Sequence, residues 1–349
     1  PLRRNALGVP GRPQAPGTVF NVAKGESKLS IIAAVTANIL IGAVKFMAAG
    51  ISGSAAMFSE GIHSFVDSGN GLLLLYGLRK SEKRADLDHP FGYGKELYFW
   101  TLVVSILVFS IGGGMSAAHG YEALLKAHEG TYVLGDPTLN YAILLIAMVL
   151  EGASLLIAVR QFNKLRRAEG MGAREYIREC KDPSLYAVVL EDTAAEIGLI
   201  IAFAATFLGH MTGNLYVDGI ASIMIGAVLI VVAAIIMKES MGLLVGEGVN
   251  VEEIRQIEGI VKGDPAVAEC GAVLTNYFGP HDLLVSIDAT FKPSLDLCEV
   301  LDAVDRIENS IKKDFPEATR VFVEAKSLAC VRGQRRQIEK MIREEEEDS

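Results

Sequence analysis

Cysteine is scarce in these 349 residues: Cys180, Cys270, Cys298 and Cys330 are the four present. They lie far apart with no C-x-x-C pair, which excludes a disulfide framework and a cysteine-type zinc site and fits a reduced cytoplasmic setting. A basic stripe is also missing. The net charge is −9 and the longest charge run, Glu344 to Asp348, is acidic, so nucleic acid is not expected as a partner. No G-x-x-x-x-G-K-[ST] loop occurs, which removes ATP as an energy source. No H-E-x-x-H helix occurs either, which takes away the motif that an intramembrane metallohydrolase would use. Neither an enzymatic role nor a bound cofactor is expected. Pro1 to Gly17 has Pro, Gly and Arg but no apolar core and no initiator Met, so it does not read as a secretory signal. Residues 1–27 are expected to be a disordered tail.

What the chain has in plenty is apolar residues, half of the total, and they are unevenly placed. Nearly all the long apolar runs lie before Met241. A bilayer crossing needs about 20 predominantly apolar residues, and six windows qualify: roughly Leu29 to Gly50, Ser54 to Leu78, Leu97 to Tyr121, Leu139 to Val159, Leu185 to Leu208 and Val217 to Met237. Arg79, Lys80, Lys83, Arg84 and Lys95 follow the second window. Arg160, Lys164, Arg166, Arg167, Arg174, Arg178 and Lys181 follow the fourth. The opposite connections hold Lys126 alone, so the positive-inside rule puts both termini in the cytoplasm. The expected organisation is a six-span transmembrane domain over 28–240, a soluble domain over 249–326 and a charged tail over 327–349, in the cell's inner or plasma membrane.

The soluble part reads as α-β-β-α-β. Asn250 caps a helix over Val251 to Lys262, with Glu253 placed for a capping box. Residues 267–277 form a strand. Val285, Ile287, Ala289 and Phe291 alternate with polar residues in a second, and Leu297, Val300, Leu301, Val304, Ile307 and Ile311 follow helical spacing before a third strand at Arg320 to Glu324.

Ionisable side chains within a span cost about 2.5 to 3.5 kcal/mol each on insertion scales, so each needs a reason. The second window holds Glu60, His63 and Asp67, the fourth Glu151, and the fifth Glu191, Asp192 and Glu196. His63 and Asp67, four apart, share one helix face, and imidazole with carboxylate is a donor mixture for zinc and its neighbours. Asp192 is placed to oppose them, with Glu196 one turn on. Glu191 points elsewhere and is expected to face Glu151 as a carboxylate pair sharing a proton. The bland alternative for His63 and Asp67 is a satisfied interhelical hydrogen bond, and for Glu151 and Glu191 a protonated structural role. Glu60 reads as interfacial, and Asn38 and Asn70 as packing groups in preference to donors that support the ligands. Lys45, His119 and Asp218 read as snorkelling near span ends. The run Ser105 to Ala118, with Gly112, Gly113 and Gly114, reads as a close-packing face.

SGSAAMFSEGIHSFVDSGNGLLLLYGLRKS followed by DLDHPFGYGKELYFW resembles the cation diffusion facilitator family, from about Lys28 to Glu324. LEDTAAEIG at Leu190 to Gly198 looks most like the branch that includes the mitochondrial zinc-transporter homologue of animals. The resemblance implies a proton-coupled antiporter exporting a divalent transition metal, zinc first, with iron, cobalt or manganese as alternatives. It implies a ferredoxin-like cytoplasmic domain that pairs two copies. Its ligand pattern falls on His63, Asp67 and Asp192. Many zinc exporters have His where this chain has Val188, which leaves the last position to water, Glu196, Glu191 or Glu151. A family loop site matches at Asp86 and His89, but Tyr93 stands at its second histidine, so a weak or purely structural site is implied. His281 and Asp282 alone offer donors in the cytoplasmic domain, which is expected to dimerise without metal.

Overall fold

The computed structural model describes residues 28–327, except 169, 171, 174, 175, 178 and 179. The expected tails at 1–27 and beyond 327, Cys330, Arg174 and Arg178 lie outside the described residues. Six long helices occupy the six apolar windows: α1 (Lys28–Ser52), α2 (Ala55–Ser81), α3 (Lys95–His128), α4 (Thr138–Ala168), α5 (Pro183–Thr212) and α6 (Tyr216–Val245). By length and composition α3, α4 and α6 can cross a bilayer. In α1 the described apolar stretch is Asn38–Ser52, while α2 carries Glu60 and Asp67 and α5 carries Glu191, Asp192 and Glu196. Leu145, Ile146, Val149, Leu150, Leu156 and Ile157 of α4 are exposed, an apolar surface that calls for lipid or a partner.

The chain divides into two compact units: residues up to Lys80 together with Glu96–Met241, and Ser81–Lys95 together with Gly242 onward. In the first, Gly113 lies in a wider π-helical stretch of α3, Val108–Met115. A Cβ on Gly113 would come within 2.5 Å of the Ile230 side chain, so glycine sets how closely α3 and α6 approach. Asp218 was expected to snorkel and instead is buried. Its carboxylate accepts from Ser54 Oγ, the Ala55 amide and Tyr132 Oη, and so caps the start of α2. His119 packs half-exposed on the Phe58 ring.

In the second unit α7 (Val251–Gly263) opens with the expected Asn250/Glu253 capping box. Next come β1 (Val267–Gly279), β2 (Asp282–Phe291), α8 (Leu297–Asp314) and β3 (Arg320–Ala325). The sheet order is β1-β2-β3, β1 antiparallel and β3 parallel to β2. Val285, Ile287 and Ala289 are buried against Ile257, Val261, Ile307 and Ile311. The packed face of α8 is rotated from the one expected: Leu297 and Leu301 are exposed and Ala303 is buried, because a helix lying on a sheet hides a narrow stripe, and small Ala303 allows the close approach.

Residues 81–95 belong to this unit by their packing. Phe91 stacks on Phe278 at 4.7 Å, the Arg320 guanidinium lies over the Phe91 ring, and Lys95 Nζ donates to the Leu244 carbonyl. Gly94 rests directly on β1, where a Cβ would sit 2.1 Å from the Phe278 carbonyl oxygen. Gly94→Ala is therefore expected to lift this loop off the hairpin, read as tryptic cleavage after Lys83 or Arg84 about tenfold faster than in the unsubstituted chain.

Candidate functional site

The antiparallel α1–α2 hairpin turns at Gly53, which has a φ of 67°. It therefore brings residues equidistant from that turn side by side, and two cross-links follow. Asn38 Nδ2 donates to Asp67 Oδ2 at 3.3 Å. Lys45 Nζ donates to Glu60 Oε2 at 3.1 Å and to Ser64 Oγ at 2.8 Å. From α4, Glu151 Oε1 accepts from the same ammonium at 2.9 Å. From α5, Asp192 Oδ2 accepts from Ser154 Oγ at 3.0 Å.

These contacts enclose a cavity of about 90 Å³ lined by His63, Ser64, Asp67, Glu151, Ser154 and Asp192, with Asn38 and the apolar Ile41, Leu150 and Ala195. Four side chains that the sequence reading had on three separate helices thus meet at one place. His63 is 5% exposed. Each carboxylate is already held by a protein donor: Asp67 by Asn38, Asp192 by Ser154, Glu151 by Lys45. Among the described residues, no three His, Cys, Asp or Glu side chains converge closely enough to grip one metal ion. A divalent cation in this cavity would draw the acids inward from their present partners. A larger cavity of about 230 Å³ is lined by Ser52, Ser54, Asn140, His210 and Asp218, but its buried carboxylate, Asp218, is already the acceptor for the start of α2.

Several expectations are corrected. Glu191 is not paired with Glu151. It is buried and accepts from Asn70 Nδ2 at 3.3 Å, since one residue's rotation from Asp192 turns it toward α2 rather than α4. Glu196 does not line the cavity; its carboxylate lies beside Gly152 with Oε2 buried and unpartnered. Asn38 and Asn70 each donate to an acid, the alternative to the packing role preferred for them. Lys45 and Glu60, read as snorkelling and interfacial, are both fully buried and paired. A signal for that pair was present: they stand eight residues before and seven after Gly53, so a tight turn sets them opposite one another.

The loop candidate has a different character. Asp86 accepts from Lys83 Nζ and Tyr93 Oη, both at 2.8 Å, and from the His89 amide. The His89 ring stacks on Tyr93 at 4.2 Å, with its Nδ1 3.6 Å from Asp86. An ammonium thus stands where a metal would need to approach Asp86. In the hairpin turn, His281 is exposed and Asp282 is paired with Arg320.

Long apolar helices around an internal cavity lined by acids and a histidine define an integral membrane protein with a cation-attracting interior. The chain matches the family profile described as the cation efflux transmembrane domain over residues 31–245, and it belongs to that family, whose members are transporters rather than enzymes. It is 36% identical over 244 residues to the proton-coupled zinc antiporter SLC30A9, mitochondrial, of Homo sapiens, covering 70% of this chain and 42% of that protein. It is 30% identical over 297 residues to metal tolerance protein C4 of Arabidopsis thaliana, covering 84% and 63%. It is 23% identical over 296 residues to the manganese efflux system protein MneP of Bacillus subtilis, covering 85% and 94%. The chain thus spans less than half the length of the human relative.

Hydrogen bonds from Lys83, Tyr93 and the His89 amide hold the Asp86 carboxyl well below the usual carboxylate range. A depressed folded-state value means that this contribution to loop order is present above the ordinary range of about 3.9 and is lost only as pH falls through the lower folded value. Lys83→Ala removes the leading cause and should raise the Asp86 titration toward its ordinary range, followed through the carboxyl carbon shift of aspartate-labelled protein. An unmoved titration would show that Lys83 does not hold Asp86 in solution.

Proposed function

We propose that this chain is a proton-coupled antiporter that exports a divalent transition-metal cation from the cytoplasm, with zinc as first substrate and iron, cobalt or manganese as the alternatives within the family. The observation that carries the reading is the meeting of His63, Asp67, Asp192 and Glu151 around one small cavity. An imidazole among carboxylates favours zinc and its neighbours, whereas oxygen donors alone would favour magnesium or calcium. The relatives named above for zinc and for manganese agree with a divalent cation as cargo.

In this reading His63, Asp67 and Asp192 are the metal ligands, and Glu151 supplies the carboxylate that completes the set in place of the histidine absent at Val188. Glu196 and Glu191 serve at most as proton carriers. To bind the cation, His63 must be neutral and the acids ionised, so loading releases protons and acid competes with metal. Metal enters from the near-neutral cytoplasm, the site turns outward, and protons from the more acidic side displace it and return. All six long helices span the membrane in this proposal, α2 and α5 paying for their acids by facing inward. Both chain termini and the αββαβ unit, taken as ferredoxin-like, lie on the cytoplasmic side of the cell's inner or plasma membrane.

We further propose that the chain works as a homodimer paired through the sheet without metal. Leu274, Ser286 and Phe322 are cross-strand neighbours in register, and Leu274 and Phe322 are 64% and 54% exposed. Two large apolar side chains open to water on either side of a serine on one sheet face favour a partner. Leu274→Asp with Phe322→Asp should shift the protein toward monomer in analytical ultracentrifugation, while EDTA should leave the unsubstituted protein paired.

Purified protein in liposomes loaded with a zinc-sensitive dye tests the transport reading. His63→Ala, Asp67→Ala and Asp192→Ala should each abolish flux with folding retained, and Glu196→Ala should be milder. An acidic lumen should accelerate uptake and a protonophore should collapse it, and any flux remaining in His63→Ala should be indifferent to the pH gradient. Full transport by Asp67→Ala would overturn the site, and flux indifferent to the pH gradient would overturn the coupling.

A further inference from the structure

Lys45 is a lysine with no exposed surface in the middle of an apolar helix. Its ammonium has three N–H donors, and three acceptors meet them: Glu60 Oε2, Ser64 Oγ and Glu151 Oε1. Two of those three residues, Ser64 and Glu151, also line the cavity of His63, Asp67 and Asp192. The ammonium therefore stands one hydrogen bond away from the proposed transport site. Glu151 faces both ways, because its Oε1 is held by Lys45 while its Oε2 is buried with no hydrogen-bond partner. Glu60 is arranged similarly: Oε2 accepts from Lys45, and Oε1 is buried and unpartnered against Gly198, where a Cβ would come within 2.5 Å. Each carboxylate thus has capacity to spare, and one cation is shared between the two.

We propose that Lys45 is a built-in competitor of the transported cation, its ammonium and the metal sharing Glu151, with Glu60 taking up the ammonium when Glu151 turns to the metal. This rests on the reading of His63, Asp67 and Asp192 as the transport site. The charge arithmetic explains why such a device is useful. The acids facing the cavity and its rim are Asp67, Glu151, Asp192 and Glu60, with Glu196 close by. A divalent ion among so many carboxylates, in a region of low dielectric, would be held too tightly to leave. A fixed ammonium at the rim offsets part of that attraction and offers Glu151 another partner as the metal departs. Lys45 is on this account a positioning residue that sets the balance between holding and releasing the cargo.

The competitor role makes a prediction of sign that a plain structural ion pair does not. Removing the ammonium leaves Glu151 to the metal, so Lys45→Met should bind more tightly and release more slowly. Removing Glu60's charge leaves Glu151 as the ammonium's one anionic partner, so Glu60→Gln should bind more weakly. If the cluster merely glued α1, α2 and α4 together, both substitutions would weaken binding in step with stability.

The test is zinc titration calorimetry on the full-length protein in lipid nanodiscs, paired with liposome flux. Lys45→Met should lower the zinc dissociation constant by at least about tenfold, the change that loss of a unit charge several ångströms from a divalent ion gives even at the dielectric constant of water, and should lower both KM and maximal flux. Glu60→Gln should raise the dissociation constant about tenfold, and Lys45→Arg, which keeps the charge, should remain within about threefold of the unsubstituted protein. Shifts of the same sign in Lys45→Met and Glu60→Gln would overturn the competitor role while leaving the transport site standing. If Lys45→Met does not fold, Glu60→Gln decides: weaker binding in a protein of unchanged melting temperature supports the role, and unchanged or tighter binding overturns it. Undiminished zinc binding by Asp67→Ala would instead remove the transport-site reading, and this inference with it.

Discussion

Taking a charged side chain out of water costs several kcal/mol even after the protein relaxes around it, and leaving one member of a buried pair alone is worse than having neither. Lys45 is the point at which this chain meets that constraint. With its ammonium fully enclosed, α1 must lie where Glu60, Ser64 and Glu151 can all reach it, which fixes the register of α1 against α2 and the rotation of α4. The small cavity follows from that register. Asn38 falls beside Asp67 because Lys45 falls beside Glu60 two turns away on the same helix pair, and Ser154 meets Asp192 because Glu151, one turn before it, is tethered.

The acids of the cavity share a second property: each is held by a partner that is neutral or divisible. An amide holds Asp67, a hydroxyl holds Asp192, and a lysine with another carboxylate at hand holds Glu151. These are weaker bonds than an arginine fork would make, and a divalent ion can compete with them. The loop around Asp86 shows the opposite arrangement, with its own ammonium, a phenol and a backbone amide gathered on one carboxylate. Lysine thus sits against acid at both candidate positions, shared in the bundle and committed at the surface.

How much of this was legible depended on the range of the interaction. Helix positions, the chain succession of helices and strands after Asn250 and the Asn250 capping box follow from apolar periodicity and from side chains that bond their own backbone a few residues away, so the sequence carries them locally. His63, Asp67 and Asp192 also stood out, because an ionisable group in an apolar run is conspicuous without any structure, and the three line one cavity. The partners of those groups were another matter. Lys45 read as a snorkelling side chain, Glu60 as interfacial, and Glu191 as the mate of Glu151. Each depends on which helix lies across from which.

The amino-acid sequence by itself determined the elements and the inventory of charges, since periodicity and hydropathy act through neighbours in the chain and through the solvent each residue requires. Tertiary structure alone decided that Glu151 belongs with Lys45, that Glu191 belongs with Asn70, and that Leu297 and Leu301 of α8 stay in water while Ala303 is covered. Those outcomes turn on the rotation of one element against another. A rotation of a single residue, about 100 degrees on a helix, exchanges the facing partner without changing the apolar pattern enough to be seen in the sequence.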